Sequence, residues 1–264
     1  MIHEVGADDP RLRPYARVGD HAWLVAEGLF VAEGRLVVSR LVETGTYELH
    51  SVLVTPAAFA ALRGRLGMLR ADVFVAPQAA VNAITGFNFH RGCLALAHRP
   101  SLPPFDAFLG CQRLLILEGV SNPDNVGGLF RVAAALRADG VLLDARTADP
   151  LYRKAIRTSM GAVLRVPFTR MVPWLDALRA LARHGTRLIA MTPDPSAHGL
   201  ALVAASLSKD VPVALLLGSE GSGLTTDALN VAHDRVRIPI AEGTDSLNVV
   251  VAAAIALYAF AENR

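Results

Sequence analysis

The chain has little lysine, and this shortage limits what its charge can say about its partners. Lysine occurs only at Lys154 and Lys209, so arginine supplies nearly all of the positive charge. The planar guanidinium of arginine suits phosphate groups and stacked bases. The formal net charge of the 264 residues is only +2 at pH 7, however. Charge alone therefore does not identify a nucleic-acid-binding protein.

Cysteine is also scarce, with only Cys93 and Cys111 in the chain. There is no CxxC pair and no cluster of histidines. A disulfide framework and a structural zinc site are therefore excluded as organising features, and we expect two free thiols in a reducing compartment. We expect no metal.

Long hydrophobic runs are missing as well. The longest apolar run, residues 249–261, is too short to span a bilayer. The first residues, MIHEVGADDP, lack the basic start and apolar stretch of a signal peptide. Because 52% of the residues are hydrophobic, the chain can bury a sizeable core. We expect a soluble cytoplasmic protein without a membrane partner.

The proline-rich segment RPSLPPFDA, residues 99–107, predicts a boundary between domains at 1–105 and 106–264. In the first domain, hydrophobic spacing predicts helices at 31–45 and 56–66 and strands at 50–56, 72–76 and 92–98. In the second it predicts strands at 113–119, 140–144, 186–192 and 211–218, with helices near 125–138 and from about 247. Apolar strands separated by helices predict an α/β fold with a parallel sheet covered on both faces.

Ligands of such sheets bind beyond the carboxyl ends of the strands, so the loops there are the candidate site. The first loop, in LEGVSNPDNVGGLFRVAAAL at 117–136, carries Asn125 and Arg131. The two side chains can converge only if Asn125 lies in the turn and Arg131 lies one turn into the helix. The alternative is an Asx turn and an arginine that extends to solvent. An unpaired guanidinium among apolar neighbours would be costly, which favours a functional role.

The second loop is LLLGSEGSGL, residues 215–224. Its glycines, Gly218 among them, would let backbone amides approach a ligand closely. Glu220 would be exposed at the strand end, where it could orient a hydroxyl or an amine. The spacing matches neither the dinucleotide-binding fingerprint nor the P-loop, and a plain turn with a solvated glutamate is the alternative.

The third loop opens IPIAEGTDSLNVVVAAAIALYAF, residues 238–260. Ser246 is the predicted N-cap, and Leu247 and Asn248 would begin a helix that is apolar on every face. Such a helix must be buried in a core or a subunit interface. Asn248 in its first turn then needs a polar partner.

Taken together, N-x-G-x-x-x-R, LGxEGxG and IP…SLNV resemble the motifs of the SpoU/TrmH branch of the SPOUT methyltransferases. The resemblance runs from about Phe108 to the end of the chain and includes the linking segment at 149–168. It implies a C-terminal domain with a trefoil knot that binds S-adenosylmethionine, and a homodimer with its site at the subunit interface. Hydrophobic periodicity alone predicts an ordinary doubly wound sheet, since knots are nearly absent from proteins.

The resemblance also implies residue roles. The positions that match the family motifs around the cofactor and the reacting hydroxyl are Asn125, Arg131, Glu220, Ser246 and Asn248. The positions that match its cofactor contacts are Thr192 with the loop to Asp194, Gly218, Ile238, Leu247 and Asn248.

The N-terminal segment is similar to a small α/β, ribosomal-protein-like RNA-binding domain. The similar stretches are EGRLVVSRL at 33–41 and ITGFNFHRGCLALA at 84–97. Candidate RNA contacts there are Arg35, Arg40, His90 and Arg91. Solvated surface arginines would give the same pattern.

The expected reaction is methylation of a ribose 2′-hydroxyl in ribosomal or transfer RNA. The sulfonium methyl is already activated, so the enzyme must align hydroxyl, methyl and sulfur and remove one proton. Guanidinium holds its proton far above neutral pH, so we expect Arg131 to stabilise the developing oxyanion and grip the adjacent phosphate. No metal is needed for this chemistry.

Three other functions are compatible with parts of the sequence. A catalytically silent RNA-binding protein on the same scaffold and a related knotted enzyme that methylates a base both remain open. A nicotinamide-dependent dehydrogenase is disfavoured, because no glycine fingerprint follows an early strand.

Overall fold

The computed structural model describes residues 1–86, 89, 91–241, 243 and 246–262. The chain forms two compact units. The first comprises Met1–Ser101 and Leu151–Leu164, and the second comprises Leu102–Pro150 and the described residues from Arg165 onward. The predicted division at 105/106 assigned 151–164 to the second domain, whereas this segment groups with the N-terminal unit.

The strands are β1 (Ile2–Glu4), β2 (Leu29–Glu33), β3 (Leu49–Val54), β4 (Asp72–Val75), β5 (Cys93–His98), β6 (Arg113–Glu118), β7 (Gly140–Leu143), β8 (Phe168–Arg170), β9 (Arg187–Met191), β10 (His198–Gly199), β11 (Val213–Gly218) and β12 (Asp234–Arg237). The α-helices are α1 (His21–Ala26), α2 (Arg35–Thr44), α3 (Pro56–Leu66), α4 (Gln78–Thr85), α5 (Pro123–Ala135), α6 (Arg153–Thr158), α7 (Trp174–Arg183), α8 (Leu200–Ser206), α9 (Thr226–Val231) and α10 (Val249–Glu262).

The N-terminal unit contains a five-stranded sheet in the order β1-β4-β3-β5-β2. Strand β5 is antiparallel to both of its neighbours, while β1, β4 and β3 pair in parallel. The predicted helix α3 is confirmed; Pro56 begins it and the Thr55 hydroxyl accepts a hydrogen bond from the Ala58 amide at 3.3 Å.

The prediction of a helix over 31–45 is wrong for its first residues. Leu29–Glu33 forms the fully buried strand β2, and α2 begins only at Arg35. A short apolar run fits both helical and extended periods, so its spacing does not distinguish them. Gly34, with φ of 93°, separates the two elements, and this backbone conformation requires glycine.

The second unit contains a seven-stranded sheet in the order β10-β12-β9-β11-β6-β7-β8. Every strand pair in it is parallel, so the parallel sheet predicted from the sequence is confirmed. Aliphatic side chains of its central strands are fully buried, including Leu114, Ile116, Leu188 and Leu216. This rigid sheet carries the three polar loops.

Helix α10 buries one face and exposes another. Ala253, Ala256 and Leu257 are buried, whereas Val251 and Ile255 are 46% and 39% exposed. The expectation that the whole helix is buried is therefore not met within one chain. Across the described residues, none of the helices combines the length and apolarity that crossing a membrane requires.

Candidate functional site

A cavity of about 470 Å³ lies at the carboxyl edge of the seven-stranded sheet. Its walls come from the segments that follow β9, β11 and β12 and from the start of α10. Its volume falls within the usual range of small-molecule sites, about 300–1,000 Å³. Seven residues that the sequence singled out line it: Thr192, Gly218, Glu220, Ile238, Ser246, Leu247 and Asn248.

The glycine-rich loop after β11 folds back tightly on the strand end. A Cβ atom added to Gly218 would lie 2.2 Å from the carbonyl carbon of Gly223 and 2.4 Å from the amide nitrogen of Leu224. The Gly223 amide donates to the Ser219 carbonyl at 3.0 Å, which closes the loop. Only glycine fits at 218, because the backbone of the returning loop fills the space that a side chain would need.

The Thr192 loop, another part of the cavity wall, is held in place by hydrogen bonds to β12 and within itself. The Thr192 amide donates to the Val236 carbonyl at 2.9 Å, and the Asp194 amide donates to the Thr192 hydroxyl at 3.2 Å. Hydrogen bonds from the Ser196 amide and hydroxyl lower the pKa of Asp194. The loop is thus preformed beside the cavity.

A polar cluster joins all three loops. The Asn125 amide nitrogen donates to a Glu220 carboxylate oxygen. The Asn248 amide nitrogen in turn donates to the Asn125 side-chain oxygen at 3.2 Å. Residues more than 90 positions apart in the chain therefore meet at one point. The cluster presents one carboxylate and two amides beside the cavity, a set that can orient a hydroxyl or an ammonium group.

The N-cap predicted at Ser246 is wrong, and Asn125 does not lie in the turn, which was the condition for its convergence with Arg131. Asn125 lies inside α5, whose cap is Asn122; the Asn122 side chain accepts a hydrogen bond from the Asp124 amide at 2.9 Å. Likewise Asn248, not Ser246, caps α10, because its side-chain oxygen accepts from the Val250 amide at 2.9 Å. Asn and Ser both cap well, so local geometry alone decided which residue does so. Ser246 is exposed and lines the cavity.

Arg131 is not brought to this cluster within one chain. It is exposed on α5 and is not among the residues that line the cavity. Because Asn125 and Arg131 belong to the same helix, six residues apart, they point about 120° away from each other around its axis. The convergence that a turn-then-helix arrangement would allow is therefore absent within one chain.

Sequence reasoning missed two buried carboxylates behind the cluster. Glu118 ends β6 and Asp144 follows β7, and their side chains are 2% and 6% exposed. Glu118 stands out in the sequence as the acidic end of an otherwise apolar strand, RLLILE. That signal could have identified it, whereas its partners come from distant segments.

The RNA contacts predicted in the N-terminal unit have different surroundings. Arg35 is exposed at the start of α2. Arg40 donates to the Met160 carbonyl, and Arg91 lies 3.5 Å from the buried Glu33 carboxylate. His90 lies outside the described residues. The two paired arginines thus already have partners within their own unit.

No group of three or more His, Cys, Asp or Glu side chains within the described ranges is arranged to hold a metal ion.

The chain is similar in sequence and in structure to known RNA methyltransferases. The sequence model described as the SpoU rRNA Methylase family matches residues 112–258. An uncharacterized tRNA/rRNA methyltransferase of Mycobacterium tuberculosis is 39% identical over 256 residues, which cover 95% of this chain and 88% of that protein. The 23S rRNA (guanosine-2′-O-)-methyltransferase RlmB of a Burkholderia species is 32% identical over 193 residues, covering 71% of this chain and 76% of that protein.

Among solved structures, an AdoMet-bound rRNA methyltransferase from Sinorhizobium meliloti has the same fold. The TM-score is 0.82 at 22% identity, and the match covers 98% of this chain and 97% of that one. The structural similarity thus extends over both units.

Proposed function

Because the chain belongs to the SpoU rRNA methylase family, we propose that it transfers the methyl group of S-adenosylmethionine to a ribose 2′-hydroxyl of ribosomal or transfer RNA. The observation that carries this proposal is the Asn125–Glu220–Asn248 cluster beside the cavity. Of the relatives described, RlmB is named for guanosine 2′-O-methylation, which favours ribose over base as the acceptor.

The cavity suits S-adenosylmethionine in size and in the character of its walls. Gly218, Gly221 and Gly223 line it with backbone that carries no side chain, so a ligand can approach the loop closely there. Ile238 and Leu247 add apolar surface, and the neighbouring peptide groups can donate and accept hydrogen bonds. When bound, this cofactor would supply a methyl group already activated by its sulfonium.

The protein's own contribution is to align the acceptor. One Glu220 oxygen accepts from Asn125, which leaves the carboxylate further lone pairs for a ribose hydroxyl or a cofactor ammonium. Asn248 fixes the Asn125 amide, so the cluster is preorganised before substrate binds. Holding two reactants in line can lower the barrier of a reaction by about 7–11 kcal/mol.

Arg131 would come from a second copy of the chain. The exposed stripe on α10, formed by Val251, Ile255 and Tyr258, recurs at helical spacing and is apolar enough to favour a partner. Helix α5 packs on α10; a Cβ added to Gly128 would lie 2.8 Å from Val250. A copy that covers this stripe would meet the helix that carries Arg131. The homodimer of the family would therefore complete the site.

In that arrangement Arg131 stabilises the developing oxyanion and grips the adjacent phosphate. The proton leaves to phosphate or water, since guanidinium remains charged near neutral pH. The same proposal includes two further features. The second unit would contain the trefoil knot of the family, and the N-terminal unit would bind RNA through Arg35, Arg40 and Arg91. Exposure of Arg35 supports the latter.

The test is methyl transfer from labelled S-adenosylmethionine to unmodified ribosomal and transfer RNA. We expect labelling of one RNA class, a linkage that resists alkali, and a loss of at least about 100-fold in Arg131→Ala. Arg179→Ala, an exposed arginine on α7 paired with Asp176, is the matched control and should retain activity.

Other outcomes separate the alternatives. Alkali-sensitive labelled RNA would indicate base methylation. Cofactor binding without transfer to any RNA would indicate a silent RNA-binding protein. Near-normal turnover of Arg131→Lys would remove any special role for the guanidinium.

A further inference from the structure

We propose that Glu118, Asp144 and Arg146 form a positioning triad that holds two loops in register: 119–122, which leads into α5 and Asn125, and the glycine-rich loop that carries Glu220. Glu118, Asp144 and Arg146 are not among the residues that line the cavity. The triad would therefore act on the loops and not directly on the substrate. The effect on turnover rests on the proposed methyl transfer, whereas the effect on the loops does not.

Glu118 secures the far end of the glycine-rich loop. One of its carboxylate oxygens accepts from the Thr225 amide at 2.9 Å, and the other accepts from the Thr225 hydroxyl at 2.8 Å. Thr225 in turn caps α9, because its hydroxyl oxygen accepts from the Ala228 amide at 3.3 Å. With Gly218 at the end of β11, the loop that carries Glu220 is fixed at both ends.

Asp144 secures the start of the other loop. One of its oxygens accepts from the Gly119 amide at 3.0 Å and from the Thr147 hydroxyl and amide at 2.6 and 2.8 Å. Burial acts to raise the pKa of Asp144, but these hydrogen bonds and that from Arg146 outweigh it and lower the pKa. An ionised carboxylate thus anchors the turn that leads to Asn125.

Arg146 bridges the two carboxylates. Its guanidinium lies 3.6 Å from a Glu118 oxygen and 3.1 Å from an Asp144 oxygen. Two buried like charges destabilise each other, and the cation between them offsets this repulsion. The Arg146 side chain is 64% exposed, so it can be replaced without opening the core.

The triad therefore joins the strand ends of β6 and β7 to the glycine-rich loop after β11. Asn125 and Glu220 hydrogen-bond to each other only if both loops keep their positions. Displacement of a reacting geometry by about 1 Å can slow an enzyme about 100-fold. Losing one member of the triad should loosen both loops together.

A double-mutant cycle with Glu118→Gln and Arg146→Gln tests this coupling. We expect each single variant to lower kcat about tenfold with KM for S-adenosylmethionine and for RNA within about twofold of wild type. The double variant should lose clearly less than the roughly 100-fold product of the two single effects, because both changes remove the Glu118–Arg146 ion pair. A loss of about 100-fold in the double variant, or a raised KM for RNA in Arg146→Gln alone, would overturn the proposal. Arg179→Gln is the matched control.

Amide hydrogen exchange supplies a readout that is independent of activity. In both single variants we expect faster exchange in 119–125 and in 219–225, while the buried strand β9 stays protected. Unchanged exchange in both loops would overturn the triad even if wild type methylates RNA. Faster exchange with an inactive wild type would retain the triad and reject the proposed methyl transfer.

Discussion

The two sheets differ in the length of the connections at their carboxyl edges. In the N-terminal unit Gly34 alone joins β2 to α2, and Thr55 alone joins β3 to α3. In the second unit the corresponding connections are long, with 119–122 after β6 and 219–225 after β11. Both sheets gather strand ends at an edge, and in the second unit the long connection after β11 forms part of the cavity wall there.

The polar groups at the two edges also serve different ends. Glu33, at the end of β2, is buried and pairs with Arg153 at 2.8 Å and Arg91 at 3.5 Å. This carboxylate ties together segments of its own unit. Glu220 is exposed, contacts an amide and faces the cavity. The same residue type therefore stabilises one unit and is available for ligand binding in the other.

If the second sheet edge binds a ligand and the first does not, a change at Gly218 should have the largest effect, and it should fall on cofactor binding. In Gly218→Ala the new Cβ would overlap backbone atoms, so the loop must move, and overpacking of this kind costs about 1–3 kcal/mol of stability. We expect the Kd for S-adenosylmethionine to rise at least about tenfold by calorimetry. The matched control is Gly221→Ala, where a Cβ meets no atom within 4 Å. Equal Kd values in the two variants would show that the loop backbone does not form the cofactor wall.

An intermediate effect is expected at Glu33. Replacing it with glutamine weakens a charge-assisted hydrogen bond from Arg153 and removes the ion pair with Arg91, and should cost about 1–2 kcal/mol in the free energy of unfolding. Cofactor affinity should not change. Glu43→Gln, which removes an ion pair that is half exposed on both sides, should cost less than about 1 kcal/mol. Urea denaturation measures both, and equal costs would contradict the structural role given to Glu33.

The smallest expected effect is the pH dependence of folding stability that Asp144 contributes. Because its pKa is lowered in the folded state, its contribution to stability is present above the ordinary pKa of 3.8 and is lost as the pH falls through the lowered value. The difference in Tm between wild type and Asp144→Asn should therefore be largest at pH 7 and shrink below about pH 4. Asp176→Asn, at an exposed position, should stay near wild type throughout. A constant difference for Asp144→Asn would show that its ionisation is not involved.

Much of the second unit was predictable because its strands are continuous apolar runs. The strands predicted at 113–119 and 211–218 are present as Arg113–Glu118 and Val213–Gly218. Strands β8, β10 and β12 were not predicted, since they are short and carry polar residues. Their extended conformation depends on pairing with neighbours, which local spacing does not report.

The family was also predictable from three motifs, and the match of residues 112–258 confirms it. Seven of the singled-out residues line one cavity, although their roles there remain predictions. The motifs could be read because each is a run of neighbouring residues whose order and spacing stand in the chain itself.

The sequence by itself thus determined the parallel sheet, the family and the loops that hold the site. Only the tertiary structure decided that Asn125 meets Glu220, that Arg131 lies apart from both, and that the buried Glu118 carboxylate supports the glycine-rich loop. The reason is physical: hydrophobic periodicity reports which face of a segment is buried. A hydrogen bond between residues 95 positions apart depends instead on how the sheet brings its strand ends together.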